Sequence, residues 1–251
     1  MEVDEQRHKG IWLLNHLPSS FFRKPKPHDP SVRVAQVFDP VALAFDATSK
    51  FTEVGWIGLD VMPSSFLYKV MDTKEAGGDV DAVIETWVAA NTDKIADEFQ
   101  SRLSTYTFDA LALQALGESI QSYRAGSYLS VVRTLMPEFE RFGRMVVRDD
   151  GTMPDSQKAA VEAIKENIKN LPASAYPPVE VLGAYSLLQE DLFAKCFNAS
   201  DASNLSNPNR HAELHGLATY GNLRGATKVL SAADFLVSAV NVAKKNVSAT
   251  P

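Results

Sequence analysis

The densest run of reactive side chains in the chain is Asn207-Pro208-Asn209-Arg210-His211-Ala212-Glu213-Leu214-His215-Gly216. His211 and His215 stand at i and i+4. On a helix they differ by about 40° and share a face, so two neutral imidazoles there can chelate a transition metal. The order is H-x-E-x-H rather than H-E-x-x-H. Glu213 is therefore aimed away from the histidine face, which removes the metalloprotease reading. A third ligand would have to come from another helix, with Glu138 and Glu140 as candidates. The metal reading is the weaker one, and neither a catalytic metal nor any other cofactor is expected.

Arg210 and His215 offer different chemistry. They are about 140° apart on an ideal helix, too wide for one stripe. A long arginine near the helix start can still reach the cleft that the histidine borders. There it can hold a phosphate bidentately, helped by the positive end of the helix. A histidine beside it can exchange protons near neutral pH. Anion clamp and acid/base together are the parts for cleaving a phosphodiester without metal. The same residues also fit a purely structural role, with Arg210 bracing a neighbouring helix through Glu140 and His215-Gly216 marking a close contact between helices.

The elements that must position these residues are helical. Residues 1–50 contain Pro18, Pro25, Pro27, Pro30 and Pro40 and read as an irregular arm, with Ile11-Trp12-Leu13-Leu14 as a short apolar anchor. Residues 51–61 read as a short strand or loop. Ser64 and Ser65 are candidate caps for the helix after Met62-Pro63. Val80, Val83, Ile84, Trp87 and Val88, then Ile95, Phe99 and Leu103, recur at helical spacing. The next helix spans 108–124, with Leu111, Ala112, Ala115, Leu116, Ser119, Ile120 and Tyr123 inward. Ala125-Gly126-Ser127 makes a tight turn, since Gly126 can take a positive φ. A helix over 128–147 is expected to kink at Pro137 or break at Met136. Amphipathic segments follow over 154–170 and 179–197. Asn207 is expected as N-cap with Pro208 first in the helix, which Gly221 interrupts. A last helix spans 223–245, with Val229, Leu230, Ala233, Leu236, Val237 and Val240 inward.

These elements predict an all-α protein in three parts: an arm over 1–50, a mostly helical lobe over 51–104, and an up-down helical bundle over 105–248. The length suits such a plan, and the net charge is −6, which argues mildly against a general nucleic-acid binder. Positive charge is local, at Arg23, Lys24, Lys26 and Arg33 and along Arg141, Arg144 and Arg148, a stripe read as a solvated helix face. No apolar run is long enough to cross a membrane. The acidic start does not read as a secretory leader, and the lone Cys196 permits no internal disulfide. The expected location is the cytoplasm, with no membrane partner. There is no internal repeat, G-x-G-x-x-G after a strand, Walker sequence or C-x-x-C.

Arg210 and His215 with polar His211 between them resemble the R-x4–6-H motif of the HEPN superfamily. These are helical-bundle proteins, many of them metal-independent RNases of toxin–antitoxin, abortive-infection and CRISPR-linked defence systems. The wider form N-R-H-x-x-x-H-G is similar to a branch of bacterial HEPN-like proteins. Tyr123-Arg124-Ala125-Gly126-Ser127-Tyr128 resembles that branch's inter-helix turn, and Leu135-Met136-Pro137-Glu138-Phe139-Glu140 its L-x-P-x-x-E segment. Gly55-Trp56 followed by Met62-Pro63 resembles its N-terminal element. The likeness touches residues 55 to about 240 and is strongest over 123–140 and 207–237. One departure is Thr105-Tyr106-Thr107-Phe108, which lacks the arginine expected before Tyr106.

The resemblance implies a HEPN-like endoribonuclease, a toxin or anti-phage effector working as a homodimer with its two motifs facing each other. Arg210 would bind the scissile phosphate of an RNA substrate and His215 would act as acid/base. Asn209 and His211 would position substrate or the catalytic pair, and Glu140 would orient Arg210 or His211. The product would carry a 2′,3′-cyclic phosphate, and an antitoxin or defence-system protein would be a further partner. Some HEPN proteins that carry the motif are not nucleases. The alternative is a non-catalytic dimerisation module that binds a partner protein or nucleotide, favoured by the net charge and the missing arginine. Cys196 reads as a core residue in an apolar helix, and Trp12, Trp56 and Trp87 as packing residues. His8, His16 and His28 show no ligand spacing.

Overall fold

The computed structural model describes residues 51, 53–59, 61–106, 109–147, 192, 194–203, 205 and 207–248. The side chains at 140, 142–147, 203 and 239–248 are excepted. The arm over 1–50, the segment 154–170 and most of 179–197 lie outside the described residues. Within them the protein is helical and has no strand.

Phe51 and Glu53 are helical, Val54 and Gly55 form a turn, and 56–59 are irregular, with no strand. The Val54 and Trp56 amides both donate to the Phe51 carbonyl, and Gly55 takes a φ of +69°. The turn leads to α1 (Ser64–Glu75), whose N-cap is Pro63, with no side-chain cap. The two serines expected there as caps are instead inside the first turn. Helix α2 (Val80–Ala90) starts where Asp79 accepts from the Ala82 amide. Asn91 closes it through the Trp87 carbonyl at 2.8 Å, and α3 (Thr92–Leu103) follows at once.

Helix α4 (Ala110–Arg124) is capped by Asp109. Ala112, Leu116, Ser119, Ile120 and Tyr123 are buried as expected, but Leu111 is exposed. Its neighbour Ala112 is fully buried, so Leu111 points off the packed face, and Ala115, also expected inward, is half-buried. The turn into α5 (Tyr128–Val147) is a Schellman motif: the Ser127 amide reaches the Ser122 carbonyl at 2.8 Å, and the Gly126 amide reaches the Tyr123 carbonyl at 3.0 Å. Gly126 has the expected positive φ, +72°.

Pro137 does not break α5, which runs unbroken from 128 to 147. The ring removes one donor, but Pro137 is exposed, so water can satisfy the stranded Arg133 carbonyl. Val131, Val132, Leu135, Met136 and Phe139 hold the opposite face in the core.

After α6 (Ala199–Ser203) and α7 (Arg210–Leu214), α8 (Leu223–Ser248) ends the fold. Asn222 caps it by accepting from the Gly225 amide at 2.8 Å. Every residue of α8 from 225 to 237 is buried, the pattern of a helix enclosed on all sides. It packs on α5, α4 and α2, while α4 packs on α5 and α3.

A helix so enclosed is expected to pair its polar groups, and among the described residues most are paired, Ser231 Oγ excepted. Thr227 meets the Tyr123 hydroxyl at 2.8 Å. Asp234 accepts from the Tyr106 hydroxyl at 2.8 Å and faces the Arg102 guanidinium at 3.3 Å. Arg102, four positions before Tyr106, thus reaches α8 from α3.

Candidate functional site

The segment 207–216 is built from caps. Asn209, not Asn207, is the N-cap of α7: its Oδ1 accepts from the Ala212 amide at 2.8 Å. Its Nδ2 donates to the Ala194 carbonyl at 2.9 Å. Asn209 is fully buried, and its amide group locks the helix start to the chain before α6. Arg210, not Pro208, is the first helical residue. The helix lasts only five residues and stops well before Gly221. The Leu217 amide reaches the Ala212 carbonyl at 2.8 Å and the Gly216 amide reaches the Glu213 carbonyl at 3.2 Å. With Gly216 at φ +67°, this is a second Schellman motif and the reason the helix ends.

Arg210 and His215 therefore stand at opposite ends of one capped turn, first residue and C-cap. Arg210 is half-buried and His215 is exposed. His211 and His215 meet directly, with ring centroids 4.2 Å apart and planes inclined by 42°. Phe197 lies edge-on to His211 at 6.4 Å and is 75% exposed, and Leu214 is 45% exposed. The histidine edge of α7 thus carries an apolar border.

Glu213 turns the other way, as the H-x-E-x-H spacing requires. Its Oε2 accepts from the Tyr220 amide at 3.0 Å, and its Oε1 lies 4.0 Å from Arg133 of α5. The Glu213 carboxylate is nearly buried, whereas Arg133 remains 69% exposed. Arg133 thereby adds an accessible positive charge beside the turn. Glu140 lies on α5 two turns beyond Arg133, about 10 Å along the axis, and its side chain is outside the described residues. Arg141, expected on a solvated stripe, is bound to Asp109 and lies 3.6 Å from Glu138. The side chains of Arg144 and Arg148 lie outside the described residues.

Cys196 is in a loop rather than a helix, and it is buried with Ala202 and Ala212 under Leu205, Leu217, Ala218 and Tyr220. Burial, and then the charge of Asp201, push its thiol pKa up, so it packs under α7 as a small apolar residue.

A polar node absent from the sequence reading anchors the segment from behind. Lys228 of α8 is 1% exposed. Its ammonium donates to Asn207 Oδ1 at 2.6 Å and to the Val54 carbonyl at 3.0 Å, and sits 4.9 Å from the Trp56 ring centre. A side chain on Gly55 would overlap the Asn207 amide group. Trp56 donates to Asp81 at 2.5 Å, and Asp81 also holds Arg224 at 2.5 Å. Trp56 is thus a packing residue, and so is Trp87, which stacks on Phe66 at 5.0 Å. The signal for this node was Lys228 itself, which with Asp234 is one of two charged residues in the otherwise uncharged run 225–238 of α8.

Compared with models of protein families, with curated proteins and with solved structures, the chain shows no match.

Proposed function

We propose that the protein is a metal-independent endoribonuclease of HEPN type, acting as a toxin or anti-phage effector. The observation that supports this reading is the single turn with Arg210 at one end and an exposed His215 at the other. Arg210 holds the scissile phosphate, and Arg133 adds positive charge beside it. His215 takes the proton from the ribose 2′-hydroxyl as that oxygen attacks phosphorus. The bond to the 5′-oxygen breaks, and that oxygen leaves with a proton from an imidazolium. The products are a 2′,3′-cyclic phosphate and a free 5′-hydroxyl. A second copy supplies the facing Arg210 and His215, so both proton transfers have a donor or acceptor. Asn209 acts through the backbone by fixing the helix start, and His211 supports His215 by ring contact.

The test is RNA cleavage in excess chelator. Wild type is expected to cleave, whereas Arg210→Ala and His215→Ala lose at least about 100-fold, the usual contribution of one acid–base or oxyanion group. Full activity in either variant, or none in wild type on any RNA, removes the reading.

A second reading rests on Phe197 and Leu214. Exposed apolar side chains beside the histidine pair suit a non-catalytic module that docks a partner protein. Overexpression separates the two. Growth arrest that survives His215→Ala points to docking, and arrest that needs His215 points to the nuclease.

A further inference from the structure

The two histidines carry one feature that the nuclease reading does not use, a buried ring nitrogen of His211. Their rings are in contact at 4.2 Å between centroids. The Nδ1 atom of His211 is buried and has no hydrogen-bond partner among the described residues. Native folds satisfy nearly all buried nitrogens, and one left over calls for a partner, of which a water or an ion is one kind. Glu213 is engaged elsewhere. Among the described residues no third histidine, cysteine or carboxylate joins the pair.

We infer that His211 and His215 form a two-imidazole chelate for a divalent transition-metal ion of the zinc or copper class. The ion occupies His215 and withholds it from proton transfer. Imidazole selects such ions over magnesium and calcium, which prefer oxygen ligands. Water completes the shell, so binding is reversible, unlike a closed four-ligand structural site. Exposed His215 can turn to aim a nitrogen at the ion that His211 holds. The metal site stands independently of the reaction, and only its inhibitory effect rests on the proposed nuclease function.

The experiment is a zinc(II) titration of the untagged full chain against a chromophoric chelator. Wild type is compared with His211→Ala, His215→Ala and the double variant. His8, His16 and His28 remain in all four proteins and set the background. Circular dichroism checks folding, and His211→Gln replaces the alanine variant if the half-buried site fails to fold. One equivalent of zinc is expected in wild type. Its affinity falls at least about tenfold in each single variant, no less than the loss of an outer-sphere partner causes, and a large excess of magnesium does not displace it. Equal zinc uptake by wild type and the double variant overturns the inference. Histidine-dependent zinc binding in a protein that cleaves no RNA leaves the site standing and removes the nuclease. RNA cleavage with histidine-independent zinc uptake does the reverse.

Discussion

At the scale of single residues, two glycines with nearly the same φ have different tasks. Gly216, at +67°, ends α7, and a Cβ there meets nothing within 4 Å. Gly216→Ala is expected to cost only the left-handed backbone, about 1–2 kcal/mol. Gly55, at +69°, lies against Asn207. Gly55→Ala must pay the same backbone strain and also displace a buried side chain, which adds about 1–3 kcal/mol. Urea denaturation of the two variants is expected to show the larger loss at Gly55. Equal losses would mean that the Lys228–Asn207 node does not hold the turn.

Buried tyrosines also make stability depend on pH at this scale. Burial pushes the Tyr123 hydroxyl up to about 12, against the Thr227 hydrogen bond, which lowers it, and with a smaller upward push from Tyr128. In the unfolded chain the group titrates near about 10. A pKa raised by folding contributes stability that is whole below the unfolded value and lost as pH climbs to the folded one. Stability is therefore expected to fall between about pH 10 and 12. At neutral pH, Tyr123→Phe is expected to cost about 1 kcal/mol for the lost hydrogen bond. Its disadvantage should shrink across the alkaline range, as urea midpoints from neutral to alkaline pH would show. A constant gap would contradict the assignment. Tyr106, raised by burial, by the charge of Asp234 and by its hydrogen bond to it, supplies alkaline sensitivity of the same sign in both proteins.

At the scale of elements, local signals and packing compete. The helical periods over 80–103 and the turn at Gly126 were legible, because spacing and a glycine at a helix end report directly on backbone geometry. The start of α7 was misplaced by two residues. Asn207 and Asn209 both satisfy the local rule for an N-cap, and Lys228 takes the first, leaving the second to cap the helix. Pro137 is the opposite case, a strong local breaker overruled by a buried face on either side of it. Pro137→Ala should return an amide to the Arg133 carbonyl. The variant is expected to gain up to about 3 kcal/mol, the penalty of proline inside a helix relative to alanine. Thermal denaturation would show it as a higher Tm, and a loss would mean that the ring itself packs.

At the scale of the whole molecule, one buried cluster runs from Phe51 through Ile84, Phe99, Leu116 and Leu135 to Val237. It draws on the segments expected as a lobe over 51–104 and as a bundle over 105–248. A shared core predicts one cooperative transition. Tryptophan fluorescence, which includes Trp56 and Trp87 in the lobe segment, is expected to coincide in urea with far-UV circular dichroism of all the helices. Separate midpoints would show that the lobe melts alone.

The sequence by itself determined that the described residues are mostly helical, because apolar residues spaced by turns of a helix leave little choice of element. It also determined which way Glu213 faces, since two residues along a helix is a fixed rotation. Tertiary structure decided the rest of the site. It made Arg210 the first residue of one short turn, because Lys228 engages Asn207 and leaves Asn209 to cap it. It also buried Lys228 against Asn207 and Trp56, residues far apart in sequence, and contacts of that range leave no period for a sequence reading to find.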